Sequence, residues 1–259
     1  MSGVAHTPPS SMEHHETFQR SSYRSVHKRA IEEVLQSNCD PGVIGLKNLG
    51  NTCFLNTSLQ CLANTIPLVD YFLGYSSWRN EINKTNPLGT GGLLVEEFGN
   101  LINMMWRNSD KKPISPHEFK SALGKFNSQF AGNLQHDSQE LLAFLLDGLH
   151  EDLNRVCKEE LMVEDDIPSN LSDVELAIAS WKSYLLRNRS IIVDIFQGQL
   201  RNVLICKTCQ HRSAKFDPFM YLSVPLPSQI DDSDPAISLN ACLAEFCRPE
   251  TLSGDCQVC

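Results

Sequence analysis

The sequence contains no apolar run long enough to cross a bilayer. The longest, Leu141–Leu146, is six residues, where a helical span needs about 18–20. Its opening residues are polar and lack the apolar stretch of a secretory signal. Positive charge is in short supply: 22 Lys and Arg stand against 31 Asp and Glu, a formal net charge of −9. Nucleic-acid binders are usually basic, so that class falls in rank, and neither nucleic acid nor a membrane is an expected partner. Asn86–Gly92 is rich in glycine but lacks the Gly-Lys-Ser/Thr ending of a phosphate loop, so nucleotide binding is rejected there. No internal repeat is visible. What is there is globular in composition. With 41% hydrophobic and 20% charged residues, wholesale disorder is excluded. A length of 259 residues suits one large domain or two small ones.

Cysteine, by contrast, is plentiful, with ten residues. That is too few per residue for a disulfide scaffold. Four of them form two C-x-x-C pairs, Cys206/Cys209 and Cys256/Cys259. Without a secretory signal such pairs read as metal or redox sites before disulfides, and the expected compartment is reducing, cytoplasmic or nuclear. Four thiolates at paired spacing suit a tetrahedral structural Zn2+ site. A redox C-x-x-C would want a thioredoxin-like βαβ context, which the pattern does not supply. Cys242 and Cys247 are rival ligands at a poorer spacing on a predicted helix.

Residues 1–18 read as a polar tail, and Ser22–Gln36 has helical spacing. Val43–Leu49 reads as an extended approach to a turn at Gly50-Asn51. A helix is predicted from Thr52 or Cys53, with Leu55, Leu59 and Leu62 at helical intervals and Pro67 at its end. A second helix, Leu93–Trp106, is predicted to bury Leu94, Phe98, Leu101, Ile102 and Met105. Ser115–Glu118, Asp137–Glu140 and Ser172–Glu175 each read as a capping-box helix start. The second of these opens a long helix to about Val156, with Leu141, Leu142, Leu145, Leu149 and Leu153 on its apolar face. The pattern then changes. Ser190–Phe196, Gln199–Ile205 and Phe216–Val224 read as strands, with the first C-x-x-C as a knuckle between the last two. Ser238–Phe246 reads as a short helix after an acidic loop.

Cys53 carries the sharpest chemistry. A thiol at a helix start faces the positive end of the macrodipole and free N–H groups, both of which favour the nucleophilic thiolate. The same N–H groups can hold an oxyanion. A free cysteine is also commonly a small buried hydrophobe, and spacing alone leaves both readings open.

The residues around it are Gly45-Leu46-Lys47-Asn48-Leu49-Gly50-Asn51-Thr52-Cys53-Phe54-Leu55-Asn56-Thr57-Ser58-Leu59-Gln60-Cys61-Leu62. This run resembles the cysteine box of the ubiquitin-specific proteases, papain-like deubiquitinases. Gln135-His136-Asp137-Ser138-Gln139-Glu140-Leu141-Leu142 resembles the family's next signature. A third runs from Phe196-Gln197-Gly198-Gln199-Leu200 through Cys206 and Cys209 to Phe216-Asp217-Pro218-Phe219 and Leu222-Ser223. All three stand in family order and together cover about Val43–Cys259. They divide the chain into an N-terminal tail and helix, residues 1–42, and a catalytic domain, residues 43–259.

The resemblance implies an α+β, papain-like thumb–palm–fingers fold, truncated here to the helical thumb and the start of the palm and fingers sheet. It implies hydrolysis of the bond after ubiquitin's C-terminal glycine in ubiquitinated proteins, through a Cys53 acyl-enzyme. Asn48 would donate into the oxyanion hole. Gln135, Asp137 and Glu140 would bind substrate, the carboxylates pairing with arginines of ubiquitin's tail. The plain alternatives are Asn48 as a turn residue and Asp137 with Glu140 as a capping box. Cys206, Cys209, Cys256 and Cys259 would hold the zinc of the fingers. The family's catalytic histidine and its Asp or Asn partner follow the second C-x-x-C. None of the eight histidines here lies in such a context, and the nearest candidate, His136, belongs to the substrate channel. The end at Cys259 reads as that of a fragment. The alternative function is therefore a catalytically incompetent form that only binds ubiquitin or partners.

Overall fold

Leu94, Val95, Phe98, Leu101, Ile102 and Met105 recur at helical spacing, and in the computed structural model all six are buried on one helix. The structure describes residues 34, 42–74, 77–108, 112–156, 171–227 and 237–253. In chain order the helices are α1 (Cys53–Leu62), α2 (Ile66–Leu73), α3 (Ser77–Asn80), α4 (Leu93–Arg107), α5 (His117–Phe126), α6 (Ser138–Asp152), α7 (Asp173–Leu185), α8 (Ile191–Phe196) and α9 (Leu239–Phe246). A 3-10 turn at Ser128–Phe130 lies between α5 and α6. Strands β1 (Gly198–Ile205) and β2 (Arg212–Phe219) pair antiparallel, from Gly198 opposite Phe219 to Ile205 opposite Arg212. The predicted tail and all of the N-terminal helix except the helical, buried Val34 lie outside the described residues.

The described residues fall into two compact units. One holds those up to 156 and from 188 to 195; the other holds 171–187 and those from 196 on. The first unit is helical and packs α4 against α2, α5 and α6. Its centre is aromatic. Phe72 meets Tyr71, Trp78 and Phe98 edge-on, with centroids 5.1–5.2 Å apart. Gly99 admits that approach, because a Cβ there would stand 2.5 Å from the Trp78 ring. The Trp106 indole donates to the Ala63 carbonyl at 2.8 Å, closing the polar end of the ring.

The start of α4 is capped from a distance. Its leading N–H groups need acceptors, as at any helix start. Asp152, at the far end of α6 and wholly buried, supplies them. Its carboxylate accepts from the backbone of Thr90 (2.6 Å), Gly92 (3.2 Å) and Val95 (3.4 Å) and from the Thr90 hydroxyl (2.5 Å). Gly92 has φ +91°, and a Cβ on it would stand 2.5 Å from the Ile82 side chain, so the turn into α4 needs glycine twice over.

The second unit packs α7 onto the β1–β2 hairpin. Ser172 and Glu175 make the predicted capping box in full. Asp173, first in the helix, receives both guanidinium nitrogens of Arg212 (2.7 and 2.6 Å) and one of Arg201 (3.3 Å). The Gln199 amide donates to the Ala177 carbonyl at 3.1 Å.

Several expectations are corrected. Pro67 does not end the first helix; α1 stops at Leu62, and Pro67 sits in the first turn of α2, where its missing N–H costs nothing. Ser115 caps nothing, since α5 begins at His117 with Pro116 as its flanking residue and no side-chain cap. Helix α6 ends at Asp152 rather than Val156, and Leu146 is buried where Leu142 is half-buried. Ser190–Phe196 is not a strand. Ser190 accepts from the Val193 N–H at 3.3 Å and starts α8, whose Ile191, Ile192 and Val193 are all buried. Burial from several sides satisfies a one-turn helix as readily as a strand, so a β-branched run is ambiguous. β2 starts at Arg212 and stops at Phe219, earlier at both ends than predicted.

Two outcomes follow for stability. Asp152→Ala strands several buried donors and should destabilise the chain by at least about 3 kcal/mol, read as a lower urea midpoint with an unchanged slope. Asp173 is held below the usual carboxylate range, first by its hydrogen bond to Arg212. A carboxyl group depressed in the folded state contributes stability above its unfolded value near 3.9 and loses it as pH falls through the lower, folded value. Arg212→Gln should therefore flatten the acid limb of stability below about pH 4, measured as denaturation midpoints across pH 2–5.

Candidate active site

Residues 44–52 are shaped by backbone pairing and one side chain. Leu46 bridges Ile114 in parallel, with Lys47 N donating to Ile114 O (2.8 Å) and Ile114 N to Gly45 O (2.9 Å). The chain then turns sharply. Asn48 Oδ1 accepts from Gly50 N (2.9 Å), Thr52 N (3.2 Å) and the Thr52 hydroxyl (3.2 Å). Thr52 Oγ1 in turn accepts from Leu49 N at 2.9 Å. Gly50 and Asn51 both take positive φ, +100° and +53°, which glycine and asparagine tolerate best. The turn delivers Cys53 as the first residue of α1, with its side chain exposed. Cys53 is therefore not a buried hydrophobe. The Thr52 side chain makes no capping hydrogen bond to the first turn of α1, a helix start whose leading N–H groups have no partner within the helix.

Asn48 thus fills the turn role fully with its oxygen. Its Nδ2 is the remaining donor, and among the described residues nothing accepts from it. The two readings of Asn48 are compatible, since the bonds to the oxygen fix how the amide is turned.

A second helix start lies alongside. Ser58 Oγ of α1 donates to the Ser138 carbonyl at 3.2 Å, and Asn51 Nδ2 donates to the Asn133 carbonyl at 2.9 Å. These bonds bring the turn before Cys53 and the loop before α6 together. Gln135, Asp137 and Glu140 are all exposed there. The expected capping box is only half formed. Asp137 accepts from Gln139 N at 2.7 Å, but Glu140 accepts from Gln129 Nε2 at 2.9 Å instead of reaching back. One carboxylate is spent partly on the helix, while the other is held by a neutral amide.

His136 sits between Phe54 and Phe130, edge-on to both at 5.2 and 5.3 Å, with Nε2 buried and, among the described residues, unpaired. His150 is buried on the far part of α6, its ring nitrogens on Ser190 Oγ (2.8 Å) and Asn188 Oδ1 (3.2 Å). Sequence reasoning missed Asn133 and Gln129; each lies 11 or more residues from its partner, and no spacing rule marks them.

In the second unit, the first C-x-x-C forms the predicted knuckle joining β1 and β2. Cys206 N donates to His211 O (2.9 Å), Gln210 N to Cys206 O (3.0 Å), and Gln210 takes φ +58°. Cys206 Sγ accepts from Cys209 N at 3.5 Å, an arrangement that suits a thiolate ligand. Lys207 Nζ donates to Thr251 Oγ1 at 2.9 Å, which draws the segment five residues ahead of Cys256 to the knuckle. Cys256 and Cys259 themselves lie outside the described residues. Cys242 is buried in α9, and among the described residues no group of three or more potential ligands converges. Cys242 and Cys247 therefore do not complete a site with the first pair.

Residues 44–238 match the family model described as ubiquitin carboxyl-terminal hydrolase. The chain belongs to that family. It is 52% identical over 187 residues to putative ubiquitin carboxyl-terminal hydrolase 11 of Arabidopsis thaliana, covering 72% of this chain and 20% of that protein. It is 49% identical over 200 residues to ubiquitin carboxyl-terminal hydrolase 4 of Pongo abelii, covering 77% and 20%. The matched stretch thus spans about a fifth of the length of these relatives. Among solved structures, a SAGA Ubp8/Sgf11/Sus1/Sgf73 DUB module bound to ubiquitin aldehyde aligns with TM-score 0.56 at 19% identity, over 85% of this chain and 42% of that chain. The same module bound to monoubiquitin aligns with TM-score 0.58 at 18% identity, over 91% and 48%. This likeness identifies the α+β fold of ubiquitin-specific proteases, represented here by a helical unit and a unit with a two-stranded sheet.

Proposed function

We propose that this ubiquitin carboxyl-terminal hydrolase family chain belongs to a cysteine-type deubiquitinase and supplies its nucleophile, oxyanion donors and ubiquitin-tail contacts. The observation that carries the reading is the exposed Cys53 at an uncapped helix start, presented by the Asn48-centred turn. The relatives' names, and the ubiquitin bound in the structural neighbours, support ubiquitin as the substrate.

The Cys53 thiolate attacks the carbonyl carbon of ubiquitin's terminal glycine, forming the C–S bond. The oxyanion that develops is met by the Asn48 Nδ2 and the leading N–H groups of α1, which act without reorganising. The C–N bond then breaks as the lysine nitrogen takes up the proton that the thiol gave up, carried by solvent; water then adds to the thioester carbonyl, the C–S bond breaks, the hydroxyl stays on the glycine carboxyl and the water's other proton returns to the thiolate or to solvent. Asp137 and Glu140 take arginines of the extended ubiquitin tail through charge-assisted pairs.

A second reading, ubiquitin binding without turnover, is favoured by one observation. Among the described residues, His150 has both ring nitrogens engaged by Ser190 and Asn188, and His136 is wedged between two phenylalanines.

Zinc belongs to the proposal as well. Cys206, Cys209, Cys256 and Cys259 would hold it, and a closed four-thiolate site would pin the hairpin to the segment ending at Cys259.

A ubiquitin probe bearing a C-terminal electrophile separates the two readings. Covalent labelling of the chain, abolished in Cys53→Ala, is the expected outcome; reversible binding without labelling would leave the binding-only form. Purified, reduced protein should carry about one equivalent of zinc, lost in Cys206→Ser and in Cys256→Ser. Metal-free protein that remains folded would overturn the four-cysteine site.

A further inference from the structure

We infer that Asn51 is a positioning residue, whose side-chain amide ties the turn presenting Cys53 to the loop leading into Asp137. The inference rests on the reading of Cys53 as nucleophile and of the residues around Asp137 as the substrate wall.

Three observations carry it. Asn51 stands two residues before Cys53 in a left-handed conformation, φ +53°. Its Nδ2 donates to the Asn133 carbonyl at 2.9 Å, across 82 residues of sequence. Asn133 is gripped from the other side as well, because Lys120 Nζ of α5 donates to its Oδ1 at 3.1 Å. Residues 134–137 have no regular structure of their own, so these two bonds, with the Ser58–Ser138 bond and the His136–Phe54 ring contact, locate the approach to α6 against the turn. The turn itself is closed separately by Asn48 and Thr52. Loss of the Asn51 donor therefore leaves α1 and its turn intact and loosens their alignment with the Asp137 loop at the Asn133 end, while the Ser58–Ser138 bond and the His136–Phe54 contact hold the other end.

An exposed hydrogen bond contributes little to global stability, yet a small misplacement of reacting groups is costly to rate. The tether should accordingly act on the chemical step much more than on folding or ubiquitin affinity. Asparagine suits the position for two reasons at once: it tolerates left-handed backbone, and it carries a donor of the right reach.

The test uses the full chain and Asn51→Gly, which keeps the left-handed turn and removes the donor, beside Lys120→Met. Labelling by ubiquitin with a C-terminal electrophile is resolved into kinact and KI. Asn51→Gly should lower kinact about 10- to 100-fold with KI near the wild-type value, and Lys120→Met should lower it less. Wild-type kinact in Asn51→Gly, or a loss confined to KI, would overturn the inference. Thermal unfolding gives an independent decision. Both variants loosen Asn133, so their Tm shifts should be non-additive in the double variant; additive shifts would also overturn the tether. Because unfolding needs no labelling, a wild-type chain that never labels would defeat the functional reading while the tether is still decided.

Discussion

Backbone N–H groups at a helix start must find acceptors or face solvent, and four helices of this chain meet that demand in four ways. α7 uses the local capping box of Ser172 and Glu175. α6 uses half of one, with Asp137 as the acceptor and Glu140 turned toward Gln129. α4 borrows a buried carboxylate from the far end of another helix. At the start of α1 the Thr52 side chain caps nothing, while Asn48 Oδ1 accepts from Thr52 N. That helix begins with the exposed cysteine. Donors left over at a helix start are what an oxyanion site would draw on.

α6 ties this arrangement to the core. Its first turn carries Asp137 and Glu140, its middle buries Leu141, Leu145 and Leu149, and its last residue, Asp152, caps α4. His150 in the last turn fastens the segment 188–190 through Ser190 and Asn188. A shift of this helix would move Asp137 and Glu140 and uncap α4 together. The site is thereby built on a rigid element, which is what a geometry-sensitive reaction requires.

The two units differ in what holds them. The helical unit has an aromatic and aliphatic interior with fully buried side chains. In the other, α7 has no fully buried residue and is fixed to the hairpin by Asp173 with Arg212 and Arg201, and by Gln199. Exposed ion pairs of that kind contribute little singly. A metal bound by cysteines would supply what such a small apolar interior does not.

Much of this was legible in the linear chain. The caps at Asp137 and Ser172, the buried stripe of α4, the turn at Gly50-Asn51 and the knuckle at Cys206 and Cys209 all depend on neighbours within a few residues, so local chemistry determined them. Membership of the ubiquitin carboxyl-terminal hydrolase family was equally readable, because its signatures are contiguous. Where the outcome depended on distant partners, the sequence was silent or misleading. The run after Ser190 became a helix because burial and His150 stabilise it there. Glu140 turned to Gln129, the α4 cap came from Asp152, and Asn51 found Asn133. Each of these bonds joins residues that are 11 to 82 positions apart. Hydrogen-bond partners are chosen by proximity in space, and only the packed helices create that proximity.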